Sequence, residues 1–296
     1  MNIKNILKTI CLSALLSGSI AVSAQKAAKP IVTGADQTAV YLKMLKGKKV
    51  GFVGNQTSVM SDEKNTHVVD YLVSKGVNLV KVFAPEHGFR DMAAAGAKIS
   101  DGVDPVTGVP VVSLYGKNYK PSKEMLEDLD VIVYDIQDVG CRFYTYISTM
   151  AYVMEAAAEN GKKVIILDRP NPNGQYIDGN ILDTAYRSFV GMHPVPIVYG
   201  MTAGEYAKMV NGEGWLKNGV KCDLTVVPCK NYDHSMKYDL PVAPSPNLAN
   251  AHAVAFYPSI CYFEGTPVSE GRGTEAPFEM FGSPYLPETG FTFTPN

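Results

Sequence analysis

The amino-acid sequence predicts an α/β protein whose parallel sheet is covered by helices on both faces. Short, almost continuous aliphatic runs alternate with segments that carry apolar residues at helical spacing. Strands without a polar face are typical of parallel sheets buried on both sides, and the alternation of strand and helix is typical of the α/β class. From Tyr232 onward this rhythm gives way to loops rich in Pro, Asn and Ser, which indicate a second domain or an extended lid.

The predicted elements follow one another in regular order. A strand over residues 49–54 precedes a helix over residues 65–75, in which Val68 and Leu72 recur at helical spacing, and Gly76 ends that helix. The later helix over residues 143–159 is capped by Asn160-Gly161. The remaining elements of the first domain are strands over residues 79–84, 109–114, 131–134 and 164–167, and a short helix over residues 123–129.

The C-terminal third is predicted to form a smaller domain. Thr202 and Glu205 make a capping box that begins a helix over residues 202–211, and a strand follows over residues 224–227. Residues 290–294 alternate like a strand with almost nothing after them, so we expect the second domain to be incomplete. The predicted division is residues 25–201 for the first domain and residues 202–296 for the second.

The first 24 residues are typical of a cleaved signal peptide. Lys4 and Lys8 precede a short apolar run over residues 9–22, and Val22-Ser23-Ala24 is a small-residue cleavage signal. An N-terminal anchor helix is the alternative, but the run is short for a membrane span. We expect a periplasmic or secreted protein without stable membrane insertion after cleavage.

The composition excludes some classes of partner. The 296 residues are 46% apolar and 19% charged, and the net charge of −2 gives no electrostatic basis for binding nucleic acid or an anionic membrane. Four cysteines remain after the predicted cleavage, too few for a disulfide scaffold. We expect mostly buried thiols, with one bridge possible.

The hexapeptide Pro85-Glu86-His87-Gly88-Phe89-Arg90 is the strongest functional signal. It directly follows a predicted buried strand, and ligands of open α/β sheets bind at the carboxyl ends of strands. A carboxylate, an imidazole and a guanidinium around a permissive glycine indicate a site. The alternative is a solvated turn that holds one ion pair.

Three further polar clusters accompany this hexapeptide. Residues 135–144 and 168–174 follow two more predicted strands, so their side chains should share one edge of the sheet with Glu86. Residues 264–274 are rich in glycine, which lets a backbone approach a ligand closely. Any one cluster could be a helix cap, an ion pair or a flexible connector. The hexapeptide and two of these clusters on one edge of the sheet together favour a site.

Other kinds of site have weaker support. No HxxxH or HxH spacing and no GxSxG motif is present, and Cys141 lacks the pattern of a catalytic cysteine. Gly51-Phe52-Val53-Gly54 is not a GxGxxG fingerprint. We expect neither a metal nor a cofactor.

Carbohydrate hydrolysis fits better, because it needs a carboxylic acid to protonate the leaving oxygen, often with a second carboxylate. Glu86 lies between Phe83-Ala84-Pro85 and Phe89, and an apolar setting raises the pKa of a glutamate. Lifting that pKa from about 4.3 to about 6 requires roughly 2.3 kcal/mol, which a nearby charged His87 or Arg90 would oppose.

Five segments together resemble the NamZ-type exo-β-N-acetylmuramidase family: APEHGFR (84–90), DIQDVGCRFYTY (135–146), DRPNPNG (168–174), PSPN (244–247) and SEGRGTEAPFE (269–279). The resemblance implies a Rossmann-like N-terminal domain, a smaller C-terminal α+β domain and an active site between them. It also implies release of terminal β-1,4-linked N-acetylmuramic acid from peptidoglycan fragments, without a cofactor. Because family members run past the last residue of this chain, it further implies a C-terminal truncation.

The resemblance also implies roles for individual residues. Glu86 is the expected catalytic acid, and Asp135, Asp138 or Glu270 is expected to be the second carboxylate or a substrate ligand. An arginine could pair with the lactyl carboxylate of muramic acid. A non-catalytic muropeptide-binding protein is the alternative. The expected substrate-binding residues are His87, Arg90, Asp135, Gln137, Arg142, Tyr144, Asp168, Arg169, Asn171, Asn173, Arg272 and Thr274.

Overall fold

A seven-stranded sheet organises the computed structural model, which describes residues 29–90 and 93–296. The strand order is β3-β4-β2-β1-β5-β6-β7, and every neighbouring pair is parallel except β3 with β4. The predicted α/β fold is therefore confirmed. The strands are β1 (Val50–Gly54), β2 (Leu79–Ala84), β3 (Gly102–Val103), β4 (Pro110–Ser113), β5 (Val131–Asp135), β6 (Lys163–Leu167) and β7 (Asp223–Val227).

Helices cover both faces of this sheet. Successive strand side chains point to opposite faces, so Phe52 and Val53 enter two different hydrophobic clusters. Burial on both faces explains why the strands read as continuous aliphatic runs. The helices are α1 (Thr38–Leu45), α2 (Val68–Ser74), α3 (Lys123–Leu126), α4 (Tyr146–Glu159), α5 (Ala203–Glu213) and α6 (Ala251–Ile260).

Helix α5 begins as the sequence predicts. The Thr202 hydroxyl accepts from the Glu205 backbone N–H, the Glu205 side chain accepts from the Thr202 N–H, and Gly214 ends the helix in the left-handed conformation. Helix α4 begins three residues later than predicted, because the Arg142 N–H donates to the Ile197 carbonyl instead of entering a helix. Residues 136–145 are thereby left as a loop at the end of β5.

The C-terminal segment differs from its prediction in two ways. Helix α6 and a following 3-10 helix, Cys261–Gly265, lie where loops were expected. The Asn250 side chain caps α6 by accepting from the N–H groups of His252 and Ala253. Residues 290–294, predicted as a strand, belong to no strand of the sheet, since no neighbouring strand pairs with them.

Residues 31–296 form one compact unit, and the predicted signal segment lies outside the described residues. The predicted division near residue 201 stays a prediction. Among the residues that the structure describes, no helix has the length and apolar character needed to cross a membrane. Cys141, Cys222 and Cys261 are buried as expected, and the Sγ atoms of Cys141 and Cys261 lie 4.0 Å apart as free thiols.

Candidate active site

The candidate site lies at the carboxyl edge of the sheet. Strand β1 separates β2 from β5, so the loop that carries Glu86 and the loop over residues 136–145 emerge close together. They border a cavity of about 450 Å³, within the usual range of ligand pockets. Of the fifteen predicted site residues, five line it: Glu86, His87, Tyr144, Glu270 and Arg272.

Glu86 is half-buried and accepts hydrogen bonds on both carboxyl oxygens. The Thr145 hydroxyl donates to Oε2 at 2.8 Å, and the Gly96 N–H donates to Oε1 at 3.3 Å. The Tyr115 phenol is also hydrogen-bonded to Glu86. Burial, and then this hydrogen bond, raise the pKa of the phenol. That phenol therefore stays a donor at neutral pH.

The backbone after Glu86 turns sharply. His87 has a φ of +71° and Gly88 a φ of +96°, and the His87 Nδ1 lies 2.7 Å from the Ala93 carbonyl oxygen. A non-glycine residue in the left-handed region carries strain that surrounding contacts must hold. This turn sets the direction of the Glu86 side chain toward the cavity.

The same cavity is also lined by a cluster of two glutamates joined by one arginine. Arg272 contacts the Glu264 Oε1 through Nη2 and the Glu270 Oε1 through Nε, each at 2.6 Å. The guanidinium also lies 5.1 Å from the centre of the Phe278 ring. Burial, and then the charges of Glu270 and Glu86, raise the pKa of Glu264, although the contact with Arg272 opposes the rise.

Aromatic rings also line the cavity. Tyr144 packs edge-on against Tyr146 at 4.9 Å and against Tyr257 at 5.6 Å, and Tyr257 packs against Phe278 at 5.1 Å. The Tyr144 hydroxyl makes no hydrogen bond of normal geometry within the described chain, although Ser245 and Tyr146 influence its pKa. An apolar floor with a few polar tips suits a sugar ring.

Asp135 and Arg169, both predicted to bind substrate, instead pair with each other beneath the site. The Arg169 Nε donates to Oδ1 at 2.5 Å and Nη2 donates to Oδ2 at 2.9 Å, while Nη2 also donates to the Val59 carbonyl. The two side chains are only 2% and 0% exposed. The structure therefore places them in the scaffold rather than in the cavity wall.

Asp138, a predicted catalytic carboxylate, is buried away from the cavity lining. Its Oδ2 accepts from the Gly140 N–H and from the Tyr199 hydroxyl, and burial raises its pKa to about 6. The side chain is thus held in the core beneath the loop. A role as second carboxylate has no support from this position.

Arg90 and Arg142 are also engaged elsewhere. Arg90 binds the carboxylates of Asp70 and Asp104, and hydrogen bonds from Arg90 and Thr107 lower the pKa of Asp104 to about 2 against the effect of burial. Arg142 donates to the carbonyl oxygens of residues 180 and 195. Neither guanidinium borders the cavity.

The remaining predicted residues connect parts of the fold. Asp168 caps α5 by accepting from the Thr202 hydroxyl and the Gly204 N–H. The others donate to backbone carbonyl groups: Gln137 to residues 138 and 170, Asn171 to residue 201, Asn173 to residues 139 and 254, and Thr274 to residue 271.

Sequence reasoning missed Glu264 as a site residue, together with Thr145, Ser245 and Asn247. Glu264 opens the Gly-rich cluster that the sequence singled out, and that was its available signal. A second cavity, of about 500 Å³, borders the N-terminus of α6, but Asp239 is its only lining carboxylate among the described residues. Residues 29–90 and 93–296 contain no group of three or more His, Cys, Asp or Glu side chains able to hold a metal.

Family comparison bears out the resemblance seen in the motifs. Residues 50–252 match the model described as exo-β-N-acetylmuramidase NamZ, N-terminal, and residues 255–294 match its C-terminal counterpart. The chain belongs to the NamZ family. Glu86 and Tyr144 fall within the N-terminal NamZ match, whereas Glu264, Glu270 and Arg272 fall within the C-terminal one.

Relatives support both the family and the fold. The peptidoglycan β-N-acetylmuramidase NamZ of Bacillus subtilis (strain 168) is 47% identical over 280 residues, which make up 92% of this chain. This chain spans only 66% of that NamZ protein. Two solved structures of DUF1343 family proteins from Bacteroides fragilis have TM-scores of 0.82 and 0.77 and are 48% and 42% identical. The matches cover 90% and 87% of this chain, and 71% and 66% of those chains.

Proposed function

We propose that this protein is an exported exo-acting β-N-acetylmuramidase, a glycoside hydrolase that releases terminal β-1,4-linked N-acetylmuramic acid from peptidoglycan fragments. The observation that carries the proposal is the position of Glu86, at a strand end in a cavity with two further glutamates. Cleavage of a glycosidic bond needs such carboxyl groups around one sugar. The 47% identity to a protein named as a peptidoglycan β-N-acetylmuramidase supports the same reaction.

Glu86 is the proposed general acid, which gives its proton to the glycosidic oxygen. A hydroxyl group both donates and accepts, so Thr145 and Tyr115 fit an ionised Glu86 as donors and a protonated Glu86 as acceptors. Only the Gly96 N–H is an obligatory donor. The contacts therefore accommodate both protonation states through which a general acid passes.

The cavity also fits the proposed substrate. Tyr144 and Tyr257 contribute aromatic surface to the cavity lining, on which a sugar ring can pack. Arg272 is the proposed partner of the lactyl carboxylate, because Arg90, Arg142 and Arg169 do not line the cavity. A periplasmic or secreted location, directed by residues 1–24, is part of the proposal, and the N-terminal mass of exported protein tests it.

Replacement of Glu86 by Gln tests the reaction. The substrate is a disaccharide of N-acetylmuramic acid β-1,4-linked to N-acetylglucosamine, and mass analysis follows the released monosaccharides. Loss of a general acid lowers turnover by about 10²–10⁴-fold. Glu275→Gln is the matched control, because Glu275 is exposed and does not line the cavity. Binding of the disaccharide by the unaltered protein without cleavage would point to a binding protein, and undiminished release by Glu86→Gln would remove Glu86 from its role.

A further inference from the structure

We infer that Glu264 is the second catalytic carboxylate, which accepts a proton from the water that attacks the anomeric carbon. The inference rests on the proposed function and names a residue that the sequence did not predict for this role. Glu264 belongs to the 3-10 helix Cys261–Gly265 and lines the same cavity as Glu86.

Position selects Glu264 among the carboxyl groups that were candidates for this role. Asp135 and Asp138 are buried outside the cavity lining, each bound to protein donors. Glu270 does line the cavity, but its side chain is only 10% exposed and is held by the Arg272 Nε. The Glu264 side chain is 34% exposed, so water reaches it directly.

Charge supports the same assignment. Arg272 at 2.6 Å favours the ionised form of Glu264, whereas burial and the two neighbouring glutamates raise the pKa of Glu264 above its ordinary value. A carboxylate that remains charged but binds a proton more strongly than usual is a better base. The charge of Glu86 also raises the pKa of Glu264, so the two carboxyl groups are within electrostatic reach of each other.

Glu270 then positions the base through Arg272. The guanidinium is held by Glu270 on one side and lies over the Phe278 ring, which fixes the nitrogen that contacts Glu264. Glu270 thus orients Arg272, and Arg272 in turn orients Glu264, the proposed base. This arrangement accounts for three charged side chains on one wall.

The reaction balances as a single displacement. The bond between the anomeric carbon and the leaving oxygen breaks, its electron pair leaves with that oxygen, and the proton of Glu86 binds there. A water oxygen forms a bond to the anomeric carbon from the opposite side, while Glu264 takes one proton from that water. Exchange with solvent then returns Glu86 to its acid form and Glu264 to its carboxylate. The α-anomer of N-acetylmuramic acid is therefore the first product.

Two substrates separate the roles of the two glutamates. Glu86→Gln and Glu264→Gln are compared on the disaccharide and on 4-nitrophenyl β-N-acetylmuramide, whose leaving group departs without protonation. We expect Glu86→Gln to lose activity on the disaccharide only, and Glu264→Gln to lose about 10²–10⁴-fold on both. Glu275→Gln is the control for the substitution itself, and thermal unfolding of each variant checks that the fold is retained.

Several results would overturn the inference. They are a Glu264→Gln variant whose turnover on either substrate is within threefold of that of the unaltered protein, or an unaltered protein that forms the β-anomer first. If the unaltered protein releases no monosaccharide from either substrate, the proposed function itself fails. Activity of the unaltered protein combined with a silent Glu264→Gln substitution rejects this inference alone.

Discussion

Replacement of Arg169 by Leu should strongly destabilise the protein, because it removes the only cation that contacts Asp135 among the described residues. The Asp135 side chain is fully buried and receives two hydrogen bonds from Arg169. Breaking a buried pair by removing one partner costs about 3–5 kcal/mol, since an uncompensated charge remains. The Val59 carbonyl would also lose its donor, which adds about 1–3 kcal/mol if no water replaces it.

The expected total is about 4 kcal/mol or more, a large share of the roughly 5–15 kcal/mol that stabilise a typical protein. Urea unfolding followed by circular dichroism measures the loss as a lower midpoint. The double variant Asp135→Asn/Arg169→Leu serves as the control, because it carries no orphaned charge and should recover part of the stability. A single variant with an unchanged midpoint and weakened sugar binding would refute the structural role and return Arg169 to the site.

Two further predictions concern buried carboxyl groups and the α5 cap. Asp138 has a pKa raised by burial to about 6, so its protonated form adds stability below about pH 4, and that stability is lost as the pH rises through 6. Asp138→Asn should therefore raise the free energy of unfolding at pH 7 by about 3 kcal/mol and flatten its dependence on pH between 4 and 7, and equal pH profiles for both proteins would contradict this. Thr202→Ala should lower the urea midpoint by the equivalent of about 1–2 kcal/mol with an unchanged slope, whereas Thr202→Ser, which keeps the hydroxyl, should not.

The sheet and its helices could be predicted from the sequence because the patterns that indicate them lie within a few neighbouring residues. Strands buried on both faces must be apolar throughout, as Phe52 and Val53 illustrate, and the capping box at Thr202 marks a helix start without reference to the rest of the fold. The short antiparallel strand β3 escaped prediction because its two residues, Gly102 and Val103, are exposed and carry no pattern.

The sequence could not predict which polar residues line the cavity and which form ion pairs or helix caps in the scaffold. Asp135 and Glu86 both lie at the ends of strands. Asp135 is buried in an ion pair with Arg169, whereas Glu86 borders a cavity. The same types of side chain form ion pairs, helix caps and cavity linings, so the role of each one depends on which long-range partner contacts it. Glu264 was overlooked because α6, which positions it, lies in a segment whose composition indicated loops.

The segment that contains α6 is held by residues that come much earlier in the chain. Asn173 donates to the Val254 carbonyl at 3.0 Å, and the Tyr146 hydroxyl donates to the Pro244 carbonyl at 3.0 Å, so the late segment docks on elements formed much earlier in the chain. The cavity that Glu86 lines is therefore complete only when this late segment is docked, because Glu264, Glu270 and Arg272, which also line it, all follow α6 in the chain.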